Sequence, residues 1–208
     1  EHPLSQFKYC PKCGSAHFEV HNEKSKQCAD CGFVYYFNPL PATVALILNE
    51  RDELLVAAAP KSLTKGTLDP PGGFIDMTET GEEGVRPRSK RRTGMKVAKA
   101  EYLFSLPNIY IYSGFPDHTL DMFFRLYGGG HLAFEAMDDA ADLFFLPLKD
   151  IRTEEFGLGS IRKGVGIFLE DIRKNKSRMI IRSYYGIYPK KTNKCTFRLN
   201  PYFVKYLF

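Results

Sequence analysis

The sequence predicts an α/β domain preceded by a small metal-stapled ribbon, and three observations carry that prediction. Leu68 to Val97 reads as strand, tight glycine turn, loop and helix. Short β-rich apolar runs lie on both sides of it, and a segment with helical apolar spacing closes the domain. Ahead of them all stand two C-x2-C pairs.

The ribbon is expected over residues 1–38. Cys10-Pro-Lys-Cys13-Gly and Cys28-Ala-Asp-Cys31-Gly are separated by fourteen residues, so four thiolates can close a tetrahedron around Zn²⁺. Two disulfides are the alternative, opposed by the short pairings, and an iron centre is a smaller one. Four cysteines leave no open position for water, which makes the zinc structural. A module this small needs it to hold a core. His2, His17 and His21 are then unnecessary as ligands and read as surface histidines.

A domain over residues 39–176 follows. Thr43 to Leu48 is a β-rich apolar run, and Leu54 to Ala57 comes after the polar turn Asn49 to Glu53, a hairpin-like pair. In the central stretch Gly72-Gly73 make the turn. Thr80 is a plausible N-cap with Glu83 completing a capping box, and Gly94 stands where a helix end wants glycine. A helix from about Gly81 to Thr93 is expected. Glu101 to Leu106 and Thr119 to Leu126 read as strands joined by the aromatic segment Ile109 to Phe115. Asp142 to Leu148 reads as a further strand. Ser160 to Arg173 reads as a helix with Ile161, Val165, Phe168, Leu169 and Ile172 on one face.

The central stretch resembles the signature of the Nudix hydrolases, G-x5-E-x7-R-E-U-x-E-E-x-G-U with U a bulky aliphatic residue. From Gly73, Glu79 fills the first glutamate, Gly94 the late glycine and Met95 the last aliphatic, while Leu68-Asp-Pro-Pro-Gly-Gly-Phe74 is similar to the family's strand and turn. The resemblance implies an α/β/α sandwich with a mixed sheet. It also implies Mg²⁺- or Mn²⁺-dependent hydrolysis of a nucleoside diphosphate linked to another group. A zinc ribbon before such a domain is similar to the NADH pyrophosphatases and their relatives. Their S-Q-P-W-P-F-P-x-S segment has no match, for the nearest text is Ser105 to Tyr110 and the chain has no tryptophan.

The middle of the signature departs from the family. Its Arg-Glu is Pro87-Arg88, its next aliphatic is Ser89, and its Glu-Glu pair is Arg91-Arg92. Glutamates at those spacings share one helix face and hold hard cations together. A guanidinium has donors only and repels a cation. Pro87, well past the first turn, costs a helix about 3 kcal/mol or more. The plain reading is substitution, or error in the sequence, on a retained scaffold. Glu79, Glu83 and Glu135 remain the candidate catalytic carboxylates. Gly72, Gly73, Arg88, Arg91, Arg92 and Tyr110 are the candidate ligand contacts.

Other positions are less specific. Tyr110, Tyr112 and Phe115 could stack on a base or pack on the core. Glu135 to Ala140 is similar to the acidic segment before the family's last strand, or is a solvated turn. Ala57 to Pro60 offers no phosphate anchor, and Gly128 to Gly130 has no phosphate-loop context.

At 208 residues and 44% apolar content the chain suits one domain plus a small module. No apolar run approaches a membrane span and no secretory leader is evident, so a cytoplasmic protein is expected. The net charge of +5 belongs to one end. From Ser177 to Phe208 there are seven Lys or Arg and no acid, leaving 22 basic against 24 acidic groups elsewhere, a net of −2. Nucleic acid is therefore expected as a partner only through this basic aromatic tail, which is either a binding segment or not native to the protein. The function expected is a Nudix-type hydrolase that is weak or inactive. A nucleotide-binding pseudoenzyme and an adaptor working through the ribbon are the other classes.

Overall fold

The computed structural model describes residues 1–58, 66–86, 97–128 and 143–184, with side chains to residue 175. Glu1–Leu169 forms one compact unit and Glu170–Phe208 a second.

In the first unit, β1 (Phe18–Asn22), β2 (Ser25–Cys28) and β3 (Val34–Tyr36) make an antiparallel ribbon. The central sheet has the order β7 (Gly72–Phe74), β4 (Leu40–Ile47), β9 (Phe115–Gly128), β8 (Val97–Tyr112). It is mixed: β4 runs parallel to β9, while β7 and β8 are antiparallel to their neighbours. A second sheet has the order β10 (Leu143–Pro147), β5 (Glu53–Ala58), β6 (Leu68–Asp69). Helix α1 occupies residues 81–86, where its description ends, and α2 is Gly159–Tyr184.

Alternation along β9 places a helix on each side of the central sheet. On one side Phe124 and Leu126 join Ala45, Ile47, Leu55 and Val85 of α1 in a buried cluster. An added Cβ on Gly81 would stand 2.8 Å from the Phe124 ring. On the other side Asp121 meets Ser160, and Phe123 meets Gly164 of α2. β4 is buried on both faces, which explains its unbroken run Thr43 to Ile47. This is the α/β/α sandwich with a mixed sheet that the resemblance implies.

Gly164 is where α2 approaches the sheet, and a Cβ there would overlap the fully buried Phe123 ring. Gly164→Ala should lower stability by about 1–3 kcal/mol through overpacking, despite the better helix propensity of alanine. Urea unfolding followed by circular dichroism measures it, and an unchanged midpoint would refute the close approach.

Three sequence expectations need correction. The runs at Thr43 and Leu54 do not form a hairpin ladder, because both edges of β4 are taken by β7 and β9. β5 instead lies in the other sheet, with one bridge left between Leu48 and Leu54. The aromatic segment is not a connecting loop. Its register runs unbroken from Phe104↔Phe123 to Tyr112↔Phe115, closed by Ser113 and Gly114 at φ +50° and +77°, which is the two-residue turn that matches strand twist. Finally, α2 does not stop near Arg173 but continues to Tyr184, into the segment read as the tail.

Ile161, Val165, Phe168 and Leu169 of α2 are buried, as the apolar spacing predicts. In the second unit the helix carries Lys174 3.2 Å from Glu170, and Asn175 donating to Asp171 at 3.0 Å. Both are one-turn pairs of an exposed helix. No described helix is long and apolar enough to cross a membrane.

Candidate functional site

The ribbon brings its four cysteines to one point. All four sulfurs lie within 4.8 Å of one another, with Cys10 to Cys31 at 3.7 Å and Cys13 to Cys28 at 3.6 Å. Disulfide sulfurs would be about 2.05 Å apart, whereas a tetrahedron of about 2.3 Å metal–sulfur bonds has edges of about 3.8 Å. The four are free thiols, and among the described residues they are the one cluster of His, Cys, Asp or Glu that could hold a metal.

Each knuckle folds around its glycine. Gly14 and Gly32 have φ +76° and +69° and donate their amides to Cys10 and Cys28 carbonyls, a left-handed conformation open to glycine at little cost. The amides of Cys31 and Asp30 bring the Cys28 thiol down to about 7. Cys13, despite an amide bond from Ser15, is pushed up to about 12, by the Cys31 sulfur first and then by desolvation and the other two sulfurs. Four sulfurs held this close repel one another as thiolates, a repulsion that a dication relieves.

The histidines stay off the cluster. His17 pairs with Asp30 at 3.2 Å, and His2 meets the Asn22 carbonyl at 2.9 Å. Lys26 fastens the N-terminal segment by donating to the Phe7 carbonyl at 2.7 Å. Phe7 and Phe37 then meet Phe115 edge-on at 5.5 and 5.7 Å, so the ribbon rests on the β8–β9 turn. Phe115 is thereby used in packing.

At the head of α1 the capping box is present as spelled. Thr80 donates its amide and hydroxyl to the Glu83 carboxylate, both at 2.9 Å, and the Glu83 amide donates to the Thr80 hydroxyl at 3.2 Å. The Thr80 amide holds the Glu83 carboxyl below its usual range. Glu79 accepts from the Asp76 amide at 3.3 Å. Glu79, Glu82 and Glu83 do not converge on a common point as a metal cage would. Arg88, Arg91, Arg92 and Glu135 lie outside the described residues, as does most of the tail.

The glycine turn instead borders a cavity of about 440 Å³ between the ends of β4, β7, β8 and β9 and the start of α2. Gly72, Gly73 and Tyr110 line it, and Glu79 and Glu83 do not. A Cβ on Gly72 would overlap the Thr43 carbonyl oxygen, which is why β7 can lie so close to β4. Phe74 meets Tyr110 edge-on at 5.9 Å, and Tyr110 stacks on Tyr112 at 6.4 Å. Burial raises the Tyr110 hydroxyl, helped by Tyr112, Asp69 and Asp117.

The sequence reading missed the polar floor of this cavity. Asp121, 4% exposed, accepts from the Thr119 hydroxyl at 2.7 Å and from the Ser160 hydroxyl at 2.5 Å. Asp69, Thr43 and Asn108 add polar groups to the wall. The available signal was Thr119-x-Asp121 inside an apolar strand, since a carboxylate in such a run must find donors.

The family's cations do not fit the residues described, because Glu83 is engaged in its cap and no other carboxylates gather around it. The cavity offers polar groups and aromatic rings on its walls.

No family model matches the chain. It is 28% identical over 176 residues to the "NAD-capped RNA hydrolase NudC" of Vibrio atlanticus, covering 83% of this chain and 61% of that one. To the protein of the same name from Chromobacterium violaceum it is 30% identical over 125 residues, 60% of this chain and 44% of that one. The chain thus spans less than two thirds of the length of these relatives. Among solved structures it is similar to a NUDIX hydrolase from Nitrosomonas europaea, with TM-score 0.57 and 16% identity, covering 79% of this chain and 91% of that one. It is also similar to a MutT protein from Methanosarcina mazei, with TM-score 0.54 and 20% identity, covering 68% and 99%. Fold and sequence likeness agree: the chain has the fold of the NUDIX hydrolases, is similar in sequence to proteins named NudC, and carries a four-cysteine cluster suited to a zinc ribbon.

Proposed function

We propose that the protein binds a nucleoside diphosphate-linked compound of the NAD type and hydrolyses its pyrophosphate bond weakly or not at all. The observation that carries this is the cavity bordered by the Gly72-Gly73 turn, with the aromatic pair Phe74 and Tyr110 on its wall and Asp121 on its floor. The relatives named for NAD-capped RNA support an NAD-type ligand. Weak hydrolysis follows from the donor set: Arg88, Arg91 and Arg92 stand where the family has glutamates, and arginine cannot hold Mg²⁺. Their guanidinium groups are proposed to pair with the diphosphate directly.

The ribbon is proposed to hold one structural Zn²⁺, and the protein to be cytoplasmic, where thiols stay reduced. A thermal-shift panel tests the proposal. ADP-ribose should raise the melting temperature equally with and without Mg²⁺, and less as salt rises. A shift that requires Mg²⁺ would favour an ordinary enzyme. The absence of any shift would favour an adaptor and sink the proposal.

A further inference from the structure

The β8–β9 hairpin outruns the sheet it belongs to. The ladder between β4 and β9 begins at Leu40↔Thr119, whereas β8 and β9 stay paired from Asn108↔Thr119 out to Tyr112↔Phe115. Residues 109–112 and 115–118 are therefore a two-stranded extension, a form of only marginal stability by itself in water. Ile109, Ile111 and Tyr112 are more than half exposed, so the extension gains little from burial. Yet Asn108 to Ile111 make one wall of the cavity.

The ribbon grips the tip of this extension. Phe7 and Phe37 meet the Phe115 ring, Phe37 also meets His118 edge-on at 5.6 Å, and Gln6 donates to the Gly114 carbonyl at 3.3 Å. Short links tie these groups to the cysteine cluster. Lys26, which holds the Phe7 carbonyl, shares β2 with Cys28 and lies 5.2 Å from the Phe18 ring that packs with Cys10 and Cys28. Phe37 follows β3, and its amide donates to the Lys24 carbonyl at 2.7 Å.

We propose that Phe7 and Phe37 are positioning residues for the cavity, through which metal in the ribbon and ligand in the cavity strengthen each other's binding. This rests on the reading of the cavity as the ligand site. With metal bound the knuckles are closed, and both phenylalanines are held against Phe115. Without it the grip loosens, and a ligand must itself order the wall at Asn108 to Ile111, which weakens its binding. Coupling between sites is reciprocal, so the ligand tightens the metal by the same factor.

The test is calorimetry and amide exchange on the full chain, with Zn²⁺ and ADP-ribose as the probes. Removing the metal with a chelator should weaken ADP-ribose binding about tenfold, and ADP-ribose should tighten Zn²⁺ by the same factor. Exchange should quicken at residues 109–112 and 115–118 and stay slow at Ala45 to Ile47. Phe7→Ala combined with Phe37→Ala should keep the metal, since no cysteine or knuckle glycine changes, and abolish the coupling. Its metal-loaded form should bind ADP-ribose as weakly as the metal-free wild type, a comparison that stands even if the chelated protein aggregates. Phe7→Leu with Phe37→Leu, which restores apolar contact, should recover part of the coupling. Equal ADP-ribose affinity with and without metal would overturn this inference and leave the proposed function standing. A coupling that survives the alanine pair would overturn it as well. Failure of ADP-ribose to bind in either metal state would overturn both.

Discussion

Replacing Pro87, Arg88, Arg91 and Arg92 by Arg, Glu, Glu and Glu is expected to raise Mg²⁺-dependent hydrolysis of ADP-ribose steeply above the weak or absent activity proposed for the chain. The scaffold around the missing carboxylates is in place: the Gly72-Gly73 turn packs on β4, and Thr80 and Glu83 cap α1. Glutamates at positions 88, 91 and 92 would stand three and four residues apart, the spacing at which helical carboxylates hold a hard cation together. The gain should be at least about a thousandfold, the usual scale of losing or regaining essential catalytic groups. Product analysis by chromatography checks it. A folded variant that gains no activity would show that the fault lies beyond these four positions.

Cys28→Ser is expected to release the metal and unfold β1–β3 while the central sheet persists. Four thiolates bind structural Zn²⁺ with an apparent free energy of about 10–16 kcal/mol, far beyond what the small cluster of Cys10, Phe18 and Cys28 with Phe33 supplies by burial. Without metal the Gly14 and Gly32 knuckles have nothing to close around. The ribbon meets the hairpin through Phe7 and Phe37, a contact small enough that the core of Ala45, Ile47, Phe124 and Leu126 should keep its amide protection. Elemental analysis should find one zinc per wild-type chain and none in the variant. A wild-type protein without zinc, or a variant that unfolds throughout, would refute this.

The features legible in the sequence are those made by neighbours along the chain. The capping box depends on residues three apart, and the knuckles on cysteines three apart with a glycine after them. Both were readable because the backbone turn and its side chains are local. Strand partnership was not, since β4 has three candidate neighbours and the winners, β7 and β9, lie about 30 and 80 residues away. Tyr110 and Tyr112 were read as a loop because no strong turn pair flanks them. Only Ser113-Gly114, with both residues at positive φ, reveals the hairpin. Asp121 went unread as a site residue because its donor Ser160 is 39 residues away and becomes a neighbour only when α2 lies on the sheet.

Binding with little or no cleavage, as proposed for this site, is tested most directly by a single-turnover assay. Wild-type protein in excess over ADP-ribose, with saturating Mg²⁺, should leave most of the ligand bound and intact over many minutes, with AMP formed slowly or not at all. Release of AMP at about 1 s⁻¹ or faster, within the ordinary enzymatic range, would contradict the account.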